Sequence, residues 1–311
     1  MAVTSSASAP AGFSRLIEVD SGLAYPSPEE ARRFCGELEL GNIVYFPQSP
    51  IPIAAEDRDF LLGNKQSGSA LHKNIAYRPL KERVTGLDKA EAAESGELRR
   101  VLRSYSQNCG TFLERFLAPY AGKWKLDYAS FRPIEEEGRA ARLHARNDLL
   151  HFDSFPTRPT NGARILRFFT NINPSENRVW ITSLTFETFG PEFARAAGLE
   201  AGQRNVVAKG LRAFADALPL VGRKPRYDKY MHRCHNAMKE DENFQSITPK
   251  HRWEFPPNSS WMVFTDCVSH AVLSGRYALE QTFLIPPTAL VEPERSPLAV
   301  LEKATRQRLT S

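Results

Sequence analysis

Leu150-His151-Phe152-Asp153-Ser154-Phe155 is the stretch from which the fold can be worked out. Successive side chains of an extended strand point to opposite faces, so His151 and Asp153 would point the same way. Two ligands on one face of a strand can hold one metal ion between them. The sequence therefore predicts a strand here that carries two metal ligands.

A third ligand, His270, lies far along the chain. It follows the strand-like run 260–264, and Ser274-Gly275 then marks a turn before a second strand-like run at 276–285. Two histidines and one carboxylate that leave coordination positions open form the facial triad of non-haem iron(II) oxygenases. The alternative interpretation is a histidine at a strand end beside a solvated aspartate.

These residues carry a resemblance. His151-x-Asp153, His270 and an arginine a few positions later resemble the Fe(II)/2-oxoglutarate-dependent dioxygenases. Residues 151–174, with Ser269-His270-Ala271-Val272 and Gln281-Thr282-Phe283, resemble more narrowly the bacterial Kdo hydroxylases, which act on the Kdo sugar (3-deoxy-D-manno-oct-2-ulosonic acid) of lipopolysaccharide. The narrower resemblance covers about residues 25–290.

The resemblance implies a mainly β fold with flanking helices. We expect a double-stranded β-helix (jelly roll, cupin-like) with an N-terminal α/β region. Residues 1–20 would form a disordered tail, and residues 21–311 a single oxygenase domain. A helical insertion is expected at about 190–245, with helices at 191–197, at 205–218 and along the stripe Tyr227, Tyr230, Met231, Cys234 and Met238.

The resemblance also implies the cofactors and the substrate. His151, Asp153 and His270 would bind Fe(II), with 2-oxoglutarate and O₂ as co-substrates. The reaction would hydroxylate carbon 3 of Kdo on Kdo–lipid A while 2-oxoglutarate becomes succinate and CO₂. Arg276 is our first choice to bind the distal carboxylate of 2-oxoglutarate through a bidentate fork. The rivals for this role, or for the anions of the substrate, are Arg132, Arg167 and Arg178.

The predicted strand 163–173 places Arg167 and Asn171 on one face among apolar side chains. A buried arginine needs an anionic partner. That partner is either a structural carboxylate or a bound carboxylate ligand. Arg167 and Asn171 are therefore both candidates for binding the co-substrate.

The composition indicates the kind of protein and the compartment in which it works. The chain has 311 residues, a net charge of +5 and 41% hydrophobic residues, enough to fill a core. Its four cysteines are widely spaced without a Cys-x-x-Cys, which argues against a disulfide framework and favours a reducing compartment. No apolar run of about 18 residues and no convincing signal peptide occur. We expect a cytoplasmic protein, with peripheral contact at the cytoplasmic face of the inner membrane.

A basic cluster and a short histidine motif have weaker interpretations. The basic cluster is either a solvated face or a patch for lipid phosphates; its members are Arg223, Lys224, Arg226, Lys229 and Arg233. His232-x-Cys234-His235 offers zinc ligands but no fourth one. Cationic residues elsewhere are scattered and no nucleic-acid-binding motif occurs, so nucleic acid is not an expected partner.

Two rival functions stay open. One is a 2-oxoglutarate oxygenase for another small anionic substrate. The other is a non-catalytic barrel that binds an anionic sugar. The remaining predictions are helices at 28–38, 54–63, 97–118 and 298–306, strands at 42–46, 128–134, 178–184 and 276–285, a hairpin-like unit at 252–264, a loop at 64–94 and a solvated charged turn at 135–139.

Overall fold

The computed structural model describes residues 12–20, 22–23, 25–63, 74–87, 95–196 and 225–310. The strands in these residues are β1 Leu16–Glu18, β2 Ile43–Phe46, β3 Ile75–Arg78, β4 Arg83–Thr85, β5 Lys125–Arg132, β6 Arg164–Asn171, β7 Arg178–Thr185, β8 His251–Phe255, β9 Ser260–Phe264, β10 Val268–Ser274 and β11 Ala278–Ile285. The α-helices are α1 Pro28–Glu39, α2 Ala55–Gly63, α3 Gly96–Phe116, α4 Phe186–Ala196, α5 Arg226–Glu240, α6 Glu242–Ile247 and α7 Pro297–Thr305.

Eight strands form the major sheet, in the order β1-β2-β9-β6-β11-β5-β3-β4. Its neighbours are antiparallel except β1 and β2, which are parallel. Helices α1 and α3 cover one face of this sheet with their apolar stripes. Phe34 and Phe116 stack with ring centres 4.8 Å apart, and Phe46 and Phe168 of the sheet join the same core.

The minor sheet contains β10, β7 and β8, all antiparallel. It packs on the other face of the major sheet. The rings of Trp180 in β7 and Phe169 in β6 lie 4.8 Å apart, and Phe255 in β8 stacks on Trp261 in β9 at 3.9 Å. Because the two sheets face each other, side chains that alternate inward along several strands meet in one space.

Helices α4, α5 and α7 pack together in a second apolar core. Phe152 belongs to this core and lies 5.1 Å from the ring of Phe186. The residue between His151 and Asp153 thus anchors their segment to the helices.

Most predicted elements are confirmed to within three residues at each end. Helix α1 has the predicted capping box: Ser27 Oγ accepts from the Glu30 N–H at 3.2 Å, and the Glu30 carboxylate accepts from the Ser27 N–H at 2.8 Å. The helices at 54–63, 97–118 and 298–306 and the strands at 42–46, 128–134, 163–173, 178–184 and 276–285 also form.

Two predictions about strands are wrong. Residues 252–264 are not a hairpin, because β8 pairs with β7 in the minor sheet whereas β9 pairs with β2 and β6 in the major sheet. The predicted metal-binding strand does not form either. His151 makes an isolated bridge with His270, and residues 152–155 are irregular.

Three predicted regions extend beyond the described residues. The region 64–94 is not simply a loop, since β3 and β4 lie within it; residues 64–73 and 88–94 lie outside the described residues. Within the expected disordered tail, residues 16–18 form β1 and pair with β2, and residues 1–11 lie outside. The expected insertion contains part of α4, α5 and part of α6, whereas its predicted helix at 205–218 lies outside.

Candidate active site

The backbone brings the three predicted metal ligands together. His151 and His270 exchange two backbone hydrogen bonds, of 3.1 and 3.0 Å, and the Asp153 N–H donates to the Thr265 carbonyl at 2.8 Å. One ligand atom from each side chain lies within 4.8 Å of the others. In the described part of the chain, this is the group of residues that can hold a metal ion.

The second ring nitrogen of each histidine is held by the backbone. Nδ1 of His151 lies 2.7 Å from the Leu149 carbonyl, and Nδ1 of His270 lies 3.0 Å from the Val268 carbonyl. A carbonyl accepts, so each Nδ1 carries the proton and each Nε2 keeps a lone pair for a metal. Trp180 stacks on the His270 ring, with centres 5.3 Å apart, and fixes its plane.

The protonation states suit metal binding. Burial lowers the pKa of both histidines, and for His151 the neighbouring His270 and Lys239 lower it further. Burial alone raises the pKa of Asp153, but Arg167, whose Nη2 lies 2.9 Å from Asp153 Oδ2, reverses this and holds the pKa below its usual range. Neutral imidazoles and an ionised carboxylate are the forms that bind metal.

A cavity of about 420 Å³ opens beside this triad. Five strands line it through residues two apart, as alternation requires, and β3 adds Ala76. The residues of the five strands are Tyr128, Ser130 and Arg132 of β5, Arg167 and Phe169 of β6, Arg178 and Trp180 of β7, His270 and Val272 of β10, and Glu280 and Thr282 of β11.

Cations outnumber carboxylates on the cavity wall. The cations are Arg132, Arg158, Arg167, Arg178 and Lys239; the carboxylates are Asp153 and Glu280. The buried Glu280 accepts from both Arg132 and Arg167, which hold its pKa below the usual range despite burial. Arg158 pairs with Asp127 outside the wall. The partner of Arg167 is thus structural, the first of the two alternatives that the sequence allowed.

Arg178 differs from the other arginines of the cavity. Its side chain is 1% exposed, and its Nη1 donates to the Gly275 carbonyl at 2.7 Å. Its Nε and Nη2 have no hydrogen-bond partner among the described residues, and Glu136 Oε1 lies 3.9 Å from Nη2. Burial and the nearby Arg132 lower its pKa to about 10. Nε and Nη2 of Arg178 can therefore donate hydrogen bonds to a bound anion.

Two candidates from the sequence lie outside the cavity wall. Arg276 is 48% exposed, and its Nε lies 3.6 Å from Glu176 Oε2. Asn171 is buried, but its amide donates to the Phe255 and Glu176 carbonyls and so clamps strand ends together. The structure does not bring either residue to the triad.

Helix α5 supplies two cavity residues that sequence reasoning did not assign to the site. His235 lies beside His151, with ring centres 5.0 Å apart, and its Nδ1 is 2.7 Å from the Phe152 carbonyl. Lys239, one turn further, also lines the cavity. The sequence contained a signal for both residues, because His235 and Lys239 lie four positions apart beside the apolar stripe of α5. The zinc interpretation is not supported, since Cys234 is buried in the apolar core.

The charged turn at 135–139 was expected to be solvated, which is confirmed for Glu137 and Gly138 and wrong for Glu136. Glu136 is buried and accepts from the Asn147 amide at 2.9 Å, and Glu135 accepts from the Gly275 N–H at 2.6 Å. Of the basic cluster, Arg226 and Arg233 are exposed on α5, and Arg223 and Lys224 lie outside the described residues. No helix in the described ranges is long and apolar enough to cross a membrane.

The donor set of two imidazole nitrogens and one carboxylate oxygen fits Fe(II). Together with the cationic cavity between two sheets, it defines an Fe(II)/2-oxoglutarate-dependent dioxygenase. The family model of 3-deoxy-D-manno-oct-2-ulosonic acid (Kdo) hydroxylase matches residues 23–308. The chain therefore belongs to the Kdo hydroxylase family.

Solved structures agree. The Kdo hydroxylase KdoO in complex with α-ketoglutarate (2-oxoglutarate) and Fe(III) is 32% identical, with a TM-score of 0.77 over 95% of this chain and 97% of that chain. Its complex with cobalt(II) gives 33% identity and a TM-score of 0.78 over the same shares. Its complex with succinate and Fe(III) gives 31% and 0.77, again over 95% and 97%. No curated protein sequence matches the chain.

Proposed function

We propose that this hydroxylase acts on carbon 3 of the Kdo sugar of Kdo–lipid A, with His151, Asp153 and His270 as its iron ligands. The observation that carries the proposal is the triad of ligand atoms within 4.8 Å, set in a cavity with excess positive charge. An anionic sugar and an anionic co-substrate both match that charge. The relatives named for α-ketoglutarate and Fe(III) support the cofactors.

Bound iron, with 2-oxoglutarate and O₂, supplies the oxidation of a substrate C–H bond, while 2-oxoglutarate leaves as succinate and CO₂. The protein's own contribution is orientation. The bridge between His151 and His270 fixes two ligands, and Arg167 holds Asp153 ionised and aimed at the same point. Walls of strand residues then position two organic molecules beside the metal.

Arg178 is the best candidate for the distal carboxylate of 2-oxoglutarate, in place of Arg276. Arg178 and Trp180 share one face of β7, and Trp180 covers the ring of His270. Residues two apart on a strand are separated by roughly 7 Å, which suits a five-carbon diacid that reaches from the metal to a cation. Its free Nε and Nη2 offer the bidentate fork.

The finer fold assignment also belongs to this proposal. Two facing sheets, with inward alternation along five strands, are what a double-stranded β-helix requires. The exposed Arg226 and Arg233 on α5 support a peripheral contact with anionic headgroups.

The test measures succinate formation from 2-oxoglutarate and Fe(II) under air, with and without Kdo–lipid A, followed by mass spectrometry of the lipid. We expect lipid-stimulated turnover and a gain of one oxygen atom. His151→Ala and Asp153→Ala should abolish both, whereas His251→Ala, outside the cavity wall, should retain them. Turnover without lipid oxidation would indicate another substrate, and no turnover in metal-loaded protein would leave a binding function.

A further inference from the structure

Lys239 is a buried ammonium group in the cavity wall. Its residue is 4% exposed, and Nζ donates to the carbonyls of His144 at 3.0 Å and Arg146 at 2.7 Å. An ammonium group has three protons to donate, so one donor remains after these two bonds. Among the described residues, no carboxylate forms a salt bridge with it.

Two cavity cations thus lack a carboxylate at hydrogen-bond distance in the described part of the chain. Arg132 and Arg167 share Glu280, and Arg158 has Asp127. Arg178 and Lys239 remain. A buried charge whose nearest carboxylate lies beyond hydrogen-bond distance, as Glu136 does at 3.9 Å from Arg178 Nη2, is only partly compensated, and an anionic ligand offsets the remaining cost when it binds. The proposed reaction brings two organic acids to this cavity, 2-oxoglutarate and a sugar acid.

The positions of the two cations distinguish the two acids. Arg178 lies deep between the sheets, at 1% exposure, on the strand that carries Trp180. Lys239 lies on α5, beside the exposed pair formed by His144 Nε2 and Glu240 Oε1 at 2.6 Å. The smaller acid, 2-oxoglutarate, suits the deeply buried position beside Arg178. A sugar attached to a larger molecule suits the wall that adjoins the surface.

We propose that Lys239 binds the carboxylate of the sugar acid that is hydroxylated, and so selects an acidic sugar at this site. This inference rests on the proposed function. The third N–H of the ammonium donates a hydrogen bond to the substrate carboxylate, while the His144 and Arg146 carbonyls hold Nζ in place. Burial lowers the pKa of Lys239 to about 8, which leaves it protonated at neutral pH.

The experiment compares Kdo–lipid A with the methyl ester of its Kdo carboxyl group. Kinetics are measured for the wild type, Lys239→Met, Lys239→Arg and the control Lys303→Met, which removes an exposed lysine of α7 outside the cavity wall. The wild type should lose roughly 10- to 100-fold in kcat/KM on the ester, as expected for a hydrogen bond to a charged group. Lys239→Met should lose as much on the acid and then treat acid and ester alike. Lys303→Met should behave as the wild type, and Lys239→Arg should recover part of the preference.

The KM for 2-oxoglutarate should stay within about twofold in Lys239→Met, since Lys239 serves the other acid. Equal losses on acid and ester would mean that Lys239 only holds the turn at residues 143–146 and would overturn the proposal. A wild type that accepts the ester as well as the acid would overturn it without any variant.

Equilibrium binding separates the inference from the proposed function. The probes are free Kdo and its methyl ester, titrated by calorimetry into protein loaded with Fe(II) and 2-oxoglutarate without oxygen. Weaker binding of the ester, lost in Lys239→Met, would support the carboxylate contact even if no lipid were oxidised. Lipid oxidation with equal binding of acid and ester would keep the function and reject the contact.

Discussion

The side-chain amide of Gln245 pairs with both backbone groups of Leu150, the residue before His151. Gln245 Oε1 accepts from the Leu150 N–H, and Nε2 donates to the Leu150 carbonyl, both at 2.9 Å. The same Nε2 donates to the Met238 carbonyl at 2.8 Å. A single side chain of α6 therefore ties the residue before His151, a proposed metal ligand, to the C-terminal turn of α5.

Gln245→Leu should weaken metal binding about tenfold, because residues that orient a ligand contribute on that scale. The measurement is titration of the variant with Co(II), at a temperature where circular dichroism shows it folded. Asn243→Ala, exposed on the same helix, is the matched control and should bind as the wild type. Unchanged affinity in Gln245→Leu would show that the backbone bridge alone orients His151.

Arg178→Met should raise the KM for 2-oxoglutarate roughly 10- to 100-fold, because it removes a charge-assisted fork to the distal carboxylate. Arg276→Met should leave this KM nearly unchanged, since that side chain is half exposed and outside the cavity wall. Steady-state kinetics with varied 2-oxoglutarate give both values. The reverse order would restore Arg276 as the ligand.

Glu280→Gln should destabilise the protein by about 3–5 kcal/mol, since it removes the shared partner of two buried guanidinium groups. Urea denaturation gives the free energy of unfolding. Glu254→Gln breaks an exposed pair with Arg252 and should cost about 1 kcal/mol or less. Similar values for the two variants would show that water or other groups already satisfy Arg132 and Arg167.

Lys239 should make stability depend on pH. Burial lowers its pKa from 10.5 to about 8, an effect that Asp153 and Asp148 partly offset. Below pH 8 both native and unfolded chains carry the proton, and the cost of the buried charge is complete. Between pH 8 and 10.5 the unfolded chain holds a proton that the native chain has lost, so stability should rise.

The expected gain of the wild type relative to Lys239→Met over this window is on the order of 1–3 kcal/mol. Urea midpoints at pH 7, 8, 9 and 10 measure it for both proteins. A constant difference between them across this range would show that the native pKa of Lys239 is not lowered.

The sequence was most informative where chemistry constrains residue type. Two histidines and an aspartate in this order predicted the triad, and the apolar stripe of α3 predicted its core face. The strand predicted around His151 nevertheless does not form. Its backbone bonds go to residues more than a hundred positions away, His270 and Thr265, and local alternation carries no information about them.

How deeply a charged side chain is buried could not be predicted from its position in the sequence. Arg178 and Arg276 both lie near strand ends, but only Arg178 is enclosed between the two sheets. Lys239 and Gln245 lie on helices about a hundred positions away in sequence from residues 144–150, so their approach to that segment depends on tertiary packing. Glu136 looked solvated in a run of three glutamates, yet partners distant in sequence bury it.

The backbone bridge between His151 and His270 has a consequence for how the metal ion is lost and replaced. Their spacing is fixed by main-chain hydrogen bonds rather than by the ion, and carbonyls already hold both rings. We therefore expect loss of a bound iron to leave the two histidines in place, so that a metal ion can bind again without refolding. We expect an enzyme that has lost its iron to regain activity when Fe(II) alone is supplied.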